Sequence, residues 1–276
     1  MHSFIKMRRS GGAKRVKSFL VIVFFSVGSI LSADPILPTD ALKLSIVTDS
    51  SSIRKGVVRV GAYFTLKEGW HLYWKNPGEA GLPIRLNLDL SQEVSDTDLR
   101  WPLPITFTQP GGRVGYGYED EVLVYREIKV PETTDTLSLP IRVDWLQCNK
   151  KVCVPGEYEG EVEIGGGAES EQPSLFQRWS TKLPSNDIEI DFTVTKEDKE
   201  EVEWVIEWAI HPKKVEIYPD YSENISVKIG SLEHQGGVTK ITLKVQRMTP
   251  SEDRIYALIV FEDEKGERKG RWIPFI

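Results

Sequence analysis

Two residues in this sequence can carry covalent chemistry unaided. They are Cys148 and Cys153, in the run Val143-Asp144-Trp145-Leu146-Gln147-Cys148-Asn149-Lys150-Lys151-Val152-Cys153-Val154-Pro155. A thiol pair stores two electrons and two protons relative to its disulfide, and it exchanges with other thiols by thiolate attack on sulfur. The residues around the pair put the first cysteine at a strand end and the second at the start of the return strand. Such a hairpin brings the two Cβ atoms within bridging reach. As a staple the bond would do little: closing a loop of roughly six residues gives about 2 kcal/mol, against about 3 for 15 residues. Lys150 and Lys151 suggest another use, because adjacent cations favour the thiolate and lower the thiol pKa. On spacing alone, a redox pair and an inert cross-strand bridge are both open.

The remaining reactive side chains make weaker patterns. His71 lies five residues before the Asn76-Pro77-Gly78 turn and could serve a thiol as a base, or stand as a structural donor. Trp70, Tyr73 and Trp74 read as packing or as a ligand platform. Asp144 and Glu157 flank the cysteine hairpin and could relay protons, or simply be solvated. Asn76-Pro77-Gly78 and Gly111-Gly112 are turn chemistry. Neither is a phosphate loop, since no helix follows. A serine–histidine–acid arrangement and paired carboxylates at a motif spacing are both missing. Copper would want a cluster of Cys, Met and His, and beyond the leader the chain offers only Met248, His71, His211, His234 and the two cysteines. No cofactor is expected, because the thiols themselves hold the electrons.

What must position the cysteines begins with an address. Residues 1–33 contain six basic residues (Lys6, Arg8, Arg9, Lys14, Arg15, Lys17) and no acidic one. The apolar run Phe19 to Leu31 follows, then Ser32-Ala33. That run is shorter than the roughly 18 residues a membrane span needs, and it has the flanks of a secretory signal cut after Ala33. An uncleaved anchor would export the body equally. In an exported chain, an isolated pair of cysteines tends to bridge. The body keeps 29 basic residues against 41 acidic ones. Such a surface repels nucleic acid.

From Ala41 to Ile164 the chain runs in short alternating stretches such as Val57 to Phe64, Ile84 to Leu88 and Ile141 to Trp145. Period two with β-branched and aromatic enrichment predicts half-buried strands. Six or seven strands in about 125 residues predict a β-sandwich. Residues 166–185 read as a polar, glycine-rich linker that holds a short helix from Ser174 to Leu183, with Ser174 as N-cap. Strands resume after Asp187, giving a second, smaller β-sandwich over 186–276. The run Lys196 to Glu203 reads as a solvated turn.

Four blocks then add a resemblance: Glu68-Gly69-Trp70-His71-Leu72-Tyr73-Trp74-Lys75-Asn76-Pro77-Gly78-Glu79-Ala80-Gly81-Leu82-Pro83, Trp101-Pro102-Leu103-Pro104, Gly115-Tyr116-Gly117-Tyr118-Glu119, and Trp145 through Glu157. In this order they resemble the N-terminal periplasmic domain of the DsbD and ScsB thiol:disulfide interchange proteins, over roughly residues 40 to 165. The second unit, with Tyr218-Pro219 and Gly236-Gly237-Val238, is similar to the second sandwich of the ScsB-like branch. The resemblance implies two immunoglobulin-like sandwiches, a periplasmic location, and electron passage through the cysteine pair. It implies a thioredoxin-like partner and a DsbD-type membrane electron donor on one side. On the other it implies disulfide isomerases, reductases or cytochrome c maturation proteins; no small-molecule substrate is expected. By the same resemblance Cys153 forms the mixed disulfide and Cys148 resolves it. An aromatic cap loop shields the pair, and Tyr116 and Tyr118 lie in the matching stretch, with His71, Tyr73, Lys150 and Lys151 in the surroundings. Two departures are visible. Four residues separate the cysteines where family members show three or five, and the sequence stops at Ile276, which implies a donor on a separate chain or a lost relay. Two rival roles follow from other features: a non-catalytic interaction module with a structural disulfide, and a copper-tolerance accessory protein.

Overall fold

The period-two runs fold as antiparallel strands whose apolar positions face inward. The structure, a computed structural model, describes residues 40–49, 56–90, 94–109, 111–165, 172–197, 201–208, 211–222, 225–247 and 256–274. The export segment, Met248, the start of the glycine-rich linker (166–171) and part of the Lys196 to Glu203 run lie outside the described residues.

In chain order the first strands are β1 (Leu42–Asp49), β2 (Val57–Leu66), β3 (His71–Gly78), β4 (Arg85–Leu88) and β5 (Ser95–Asp96). Then come β6 (Ile105–Thr108), β7 (Val114–Tyr118), β8 (Glu121–Lys129), β9 (Thr136–Cys148) and β10 (Cys153–Gly165). One sheet has the order β1-β2-β8-β5. The other has the order β10-β9-β3-β7-β6, with β4 also paired to β9. Their inner faces share one apolar core in which Phe64 of β2 meets Trp145 of β9 at 5.5 Å between ring centres. Helix α1 (Pro173–Ser180) closes an end of this core with Leu175, Phe176 and Trp179. The helix starts two residues earlier than the sequence predicts. Pro173 occupies its first turn and Gln172 is the N-cap residue without a side-chain cap bond, so Ser174 caps nothing.

After the helix come β11 (Asp191–Glu197), β12 (Glu201–Glu207), β13 (Lys214–Pro219), β14 (Ile225–Gln235), β15 (Val238–Arg247), β16 (Tyr256–Glu262) and β17 (Arg268–Pro274). They form sheets β11-β12-β15-β14 and β13-β16-β17. Both immunoglobulin-like sandwiches expected from the sequence are present.

The sheet β13-β16-β17 belongs to two cores at once. Ala257, Ile259 and Phe261 of β16 pack with Ile217 and Ile273 against the sheet that holds Trp204 and Ile241. Leu258 and Val260, one residue out of phase, join Tyr218 and Trp272 in the core of the first sandwich. A strand buried on both faces needs an unbroken apolar run, and Ala257 to Phe261 is that run. Trp74 of β3 stacks on Trp272 at 5.8 Å, and Lys75 lies 4.1 Å above the same indole while pairing with Asp220 at 2.6 Å. The Asn76 amide donates to the Pro219 carbonyl at 2.8 Å.

Close approach of β3 and β7 depends on Gly117. A Cβ there would stand 1.8 Å from the Leu72 carbonyl oxygen and 3.0 Å from the Tyr73 Cα. Gly117→Ala is expected to push the strands apart and cost at least about 2 kcal/mol, read as a lower denaturant midpoint for the oxidised protein.

Candidate functional site

Cys148 ends β9, Cys153 begins β10, and the two are directly opposed in the ladder, Cα atoms 4.1 Å apart and joined as a disulfide. The turn between them is set by Asn149. Its side-chain Oδ1 accepts from the Lys151 and Val152 amides at 2.8 and 3.0 Å, and its own amide donates to the Val152 carbonyl at 2.9 Å. An Asn that replaces backbone acceptors in this way fixes a tight turn. Lys150 and Lys151 are both exposed at its tip.

Exposure divides the pair. Cys153 is exposed, whereas Cys148 is 1% exposed. Cys148 is covered by residues that strand alternation places on the same face. His71 is its register partner on β3, and Tyr73 follows two residues on. The Tyr73 hydroxyl donates toward the Cys148 Sγ at 3.1 Å and also faces the Gln109 Oε1 at 3.2 Å. Gln109 is held in turn, its amide nitrogen donating to the Ala80 carbonyl at 3.0 Å. The His71 ring lies 4.0 Å from Phe107 and meets Tyr73 edge-on at 5.3 Å. Over Tyr73 passes the loop after β3, so tightly that a Cβ on Gly81 would reach 2.3 Å from the phenol ring.

The expected cap is corrected by this geometry. Tyr116 and Tyr118 stand on the interior face, with Leu72 and Trp74, and not on the face that bears the cysteines. Tyr118 donates to the Pro102 carbonyl at 2.8 Å, and Tyr116 meets Tyr218 edge-on at 5.2 Å. Burial pushes the Tyr116 phenol up to about 12 and that of Tyr118 well above its usual value. The reason is the Gly-Tyr-Gly-Tyr alternation. Gly117 takes the outward position opposite Tyr73, and Gly115 the one beside Phe107 and Gln109, which sends both tyrosines inward. Phe107 and Gln109 instead back His71 and Tyr73, the residues beside Cys148, and Gly81 lies against the Tyr73 ring.

Other expected residues are placed as follows. Trp74 is wholly buried and Trp70 is buried, both as packing. Asp144 and Glu157 are opposed across β9 and β10, four register pairs beyond the cysteines and past Leu146 and Pro155. Both pair with Arg142, which also meets Glu159. Ion pairs this exposed contribute little to stability. His234 lies in the second sandwich, bonded to Thr239 at 2.7 Å and to the Pro212 carbonyl at 2.9 Å. His71 and His234 therefore serve separate neighbourhoods.

Among curated proteins none matches the chain. Residues 34–162 match the family model described as thiol:disulfide interchange protein DsbD, N-terminal. Among solved structures, the chain is similar to the N-terminal periplasmic domain of ScsB from Proteus mirabilis, at 21% identity and a TM-score of 0.67. That likeness covers 86% of this chain and 94% of that one, and it concerns the fold. A conserved domain protein from Bacillus anthracis (6% identity, 86% and 87% covered) and the collagen adhesin of S. aureus (10%, 84% and 92%) align at TM-scores of 0.19 and 0.18.

Burial holds the His71 imidazole down at about 4 from its ordinary 6.5. A ring kept neutral in the fold but free to protonate in the unfolded chain lowers stability as acid is added. Above pH about 6.5 it contributes nothing, and between about 6.5 and about 4 the loss grows to at most about 3 kcal/mol. His71→Phe should flatten this part of the stability–pH profile relative to the unaltered chain, measured by denaturant unfolding of the oxidised protein.

Proposed function

We propose, from the premise that residues 34–162 are a DsbD N-terminal domain, that this chain passes electrons between periplasmic proteins by thiol–disulfide exchange at Cys148 and Cys153. The observation that carries the reading is the unequal exposure of the pair: Cys153 is open to a partner and Cys148 is enclosed directly behind it.

A thiolate of a thioredoxin-like donor attacks the Cys153 sulfur along the open side. The Cys148–Cys153 bond breaks, a donor–Cys153 disulfide forms, and the electron pair leaves on Cys148. A second donor thiol then displaces Cys153 from that mixed disulfide, so the donor is oxidised and this chain holds two thiols. Delivery reverses the order. The Cys153 thiolate opens an acceptor disulfide, and Cys148 attacks Cys153 to release the reduced acceptor and close the bridge. Lys150 and Lys151 at the turn favour the Cys153 thiolate that the second half requires. Tyr73, by donating to the Cys148 sulfur, favours negative charge on the leaving sulfur in the first half.

The finer assignment is a DsbD-type membrane protein as donor, with periplasmic isomerases, reductases or cytochrome c maturation proteins as acceptors. Residues 34–165 carry the redox pair, 166–185 link, and 186–276 form the second sandwich that supports β3. Residues 1–33 direct export. Among the described residues no helix is long and apolar enough to cross a membrane.

Two measurements test this. Cys148→Ser should accumulate a mixed disulfide with a thioredoxin-like partner, and Cys153→Ser should trap none. Equal trapping by both variants overturns the division of roles. Equilibration with glutathione or dithiothreitol buffers should place the potential above about −300 mV; a lower value means a structural bridge and an interaction module.

A further inference from the structure

Opening the disulfide leaves a sulfur where a bare charge is costly. Cys148 is 1% exposed and lies under Tyr73, and its departing electron pair enters a site shut off from water. The Tyr73 hydroxyl has one proton to divide between the Cys148 Sγ and the Gln109 Oε1. Opposite Cys148 in the ladder is His71, 6% exposed, whose Nε2 has no hydrogen-bond partner. Directly opposed side chains start from Cβ atoms about 5 Å apart. A buried ring nitrogen without a partner is a cost in the oxidised state that calls for a use in the other one.

We propose that His71 takes up a proton when the disulfide opens, so that the reduced site holds a Cys148 thiolate beside a His71 imidazolium and the oxidised site holds a neutral ring. The inference rests on the exchange reading above. Protons and electrons balance. A donor dithiol brings two electrons and two protons and leaves as a disulfide. One proton ends on Cys153 as its thiol and the other on His71, with the negative charge of Cys148 matched by the ring. In delivery the thiolate is already formed for its attack on Cys153, and the ring gives its proton back as the bridge closes.

The surroundings suit this exchange. The titratable and charged groups facing or flanking His71 are Cys148 and Cys153 on β9 and β10, Tyr73 on β3, Arg113, whose charge acts on the Tyr73 hydroxyl, and Lys150 and Lys151 at the turn. Phe107 on β6 presents only an apolar ring. Burial alone disfavours the imidazolium in the oxidised protein, with no charge contributing. An anion on the opposed strand supplies the missing partner and reverses the preference.

Nitrogen NMR of the full chain with labelled histidine rings, oxidised and then reduced with dithiothreitol at neutral pH, tests the proposal directly. The His71 ring should be neutral before reduction and protonated after it. In Cys153→Ser, the ultraviolet absorbance of the Cys148 thiolate should persist to a pH at least about one unit lower than in Cys153→Ser with His71→Gln. A ring that stays neutral in both states, or a thiolate titration unmoved by His71→Gln, overturns the proposal. Should the double variant fail to fold, the NMR comparison decides without it. Partner trapping by Cys148→Ser together with a neutral ring removes this inference and leaves the exchange reading intact. A missing trap removes both.

Discussion

The register between β3 and β9 is the constraint on which the rest depends. With His71 opposite Cys148 and Leu72 opposite Gln147, successive residues of β3 are committed to opposite faces. His71 and Tyr73 go to the disulfide; Leu72 and Trp74 go to the core. A slip of one residue would exchange the two sets and place two large apolar side chains over the cysteines. On the other edge of β3, Gly117 lets β7 approach, and at the hairpin tip Asn149 fixes which residues of β9 and β10 face each other across the turn.

Chemistry at the pair follows from how differently its two halves meet the solvent. An exposed sulfur can be reached in line by a partner's thiolate. An enclosed one can leave and return but cannot be intercepted by solutes. The enclosure is made of aromatic rings and one amide, so it supplies shape and a single hydroxyl hydrogen bond but little charge. Fixed cations sit outside, at the turn, where water screens them. Control of the buried sulfur therefore falls to Tyr73 and His71, which stand within its own apolar surroundings and act there at low dielectric.

Much of this was legible in the sequence. Alternation gave the strands, the cysteine spacing gave the hairpin, and the four blocks gave the sandwich family. What alternation does not give is phase where both parities look alike. In Val114-Gly115-Tyr116-Gly117-Tyr118 the resemblance implies a cap, but the glycines are the informative residues, because they permit close strand approach on the outward side. Phe107 and Gln109 escaped notice because their role depends on which strand lies next to β7, a long-range pairing that no local pattern encodes. The split of β16 between two cores was hidden likewise: Ala257 to Phe261 reads as one apolar run, and only its neighbours reveal that odd and even residues serve different partners.

That shared strand has a mechanical consequence. Because β13-β16-β17 is the wall of one sandwich and the floor on which β3 rests, neither half can lose its interior without uncovering the other. A chain cut after Gly165 would bare Trp74 and Tyr116 to water where Trp272 and Tyr218 now cover them. The whole body should melt in a single cooperative step, and strain imposed far away on the second sandwich would travel along β3 to within two residues of the disulfide-facing phenol.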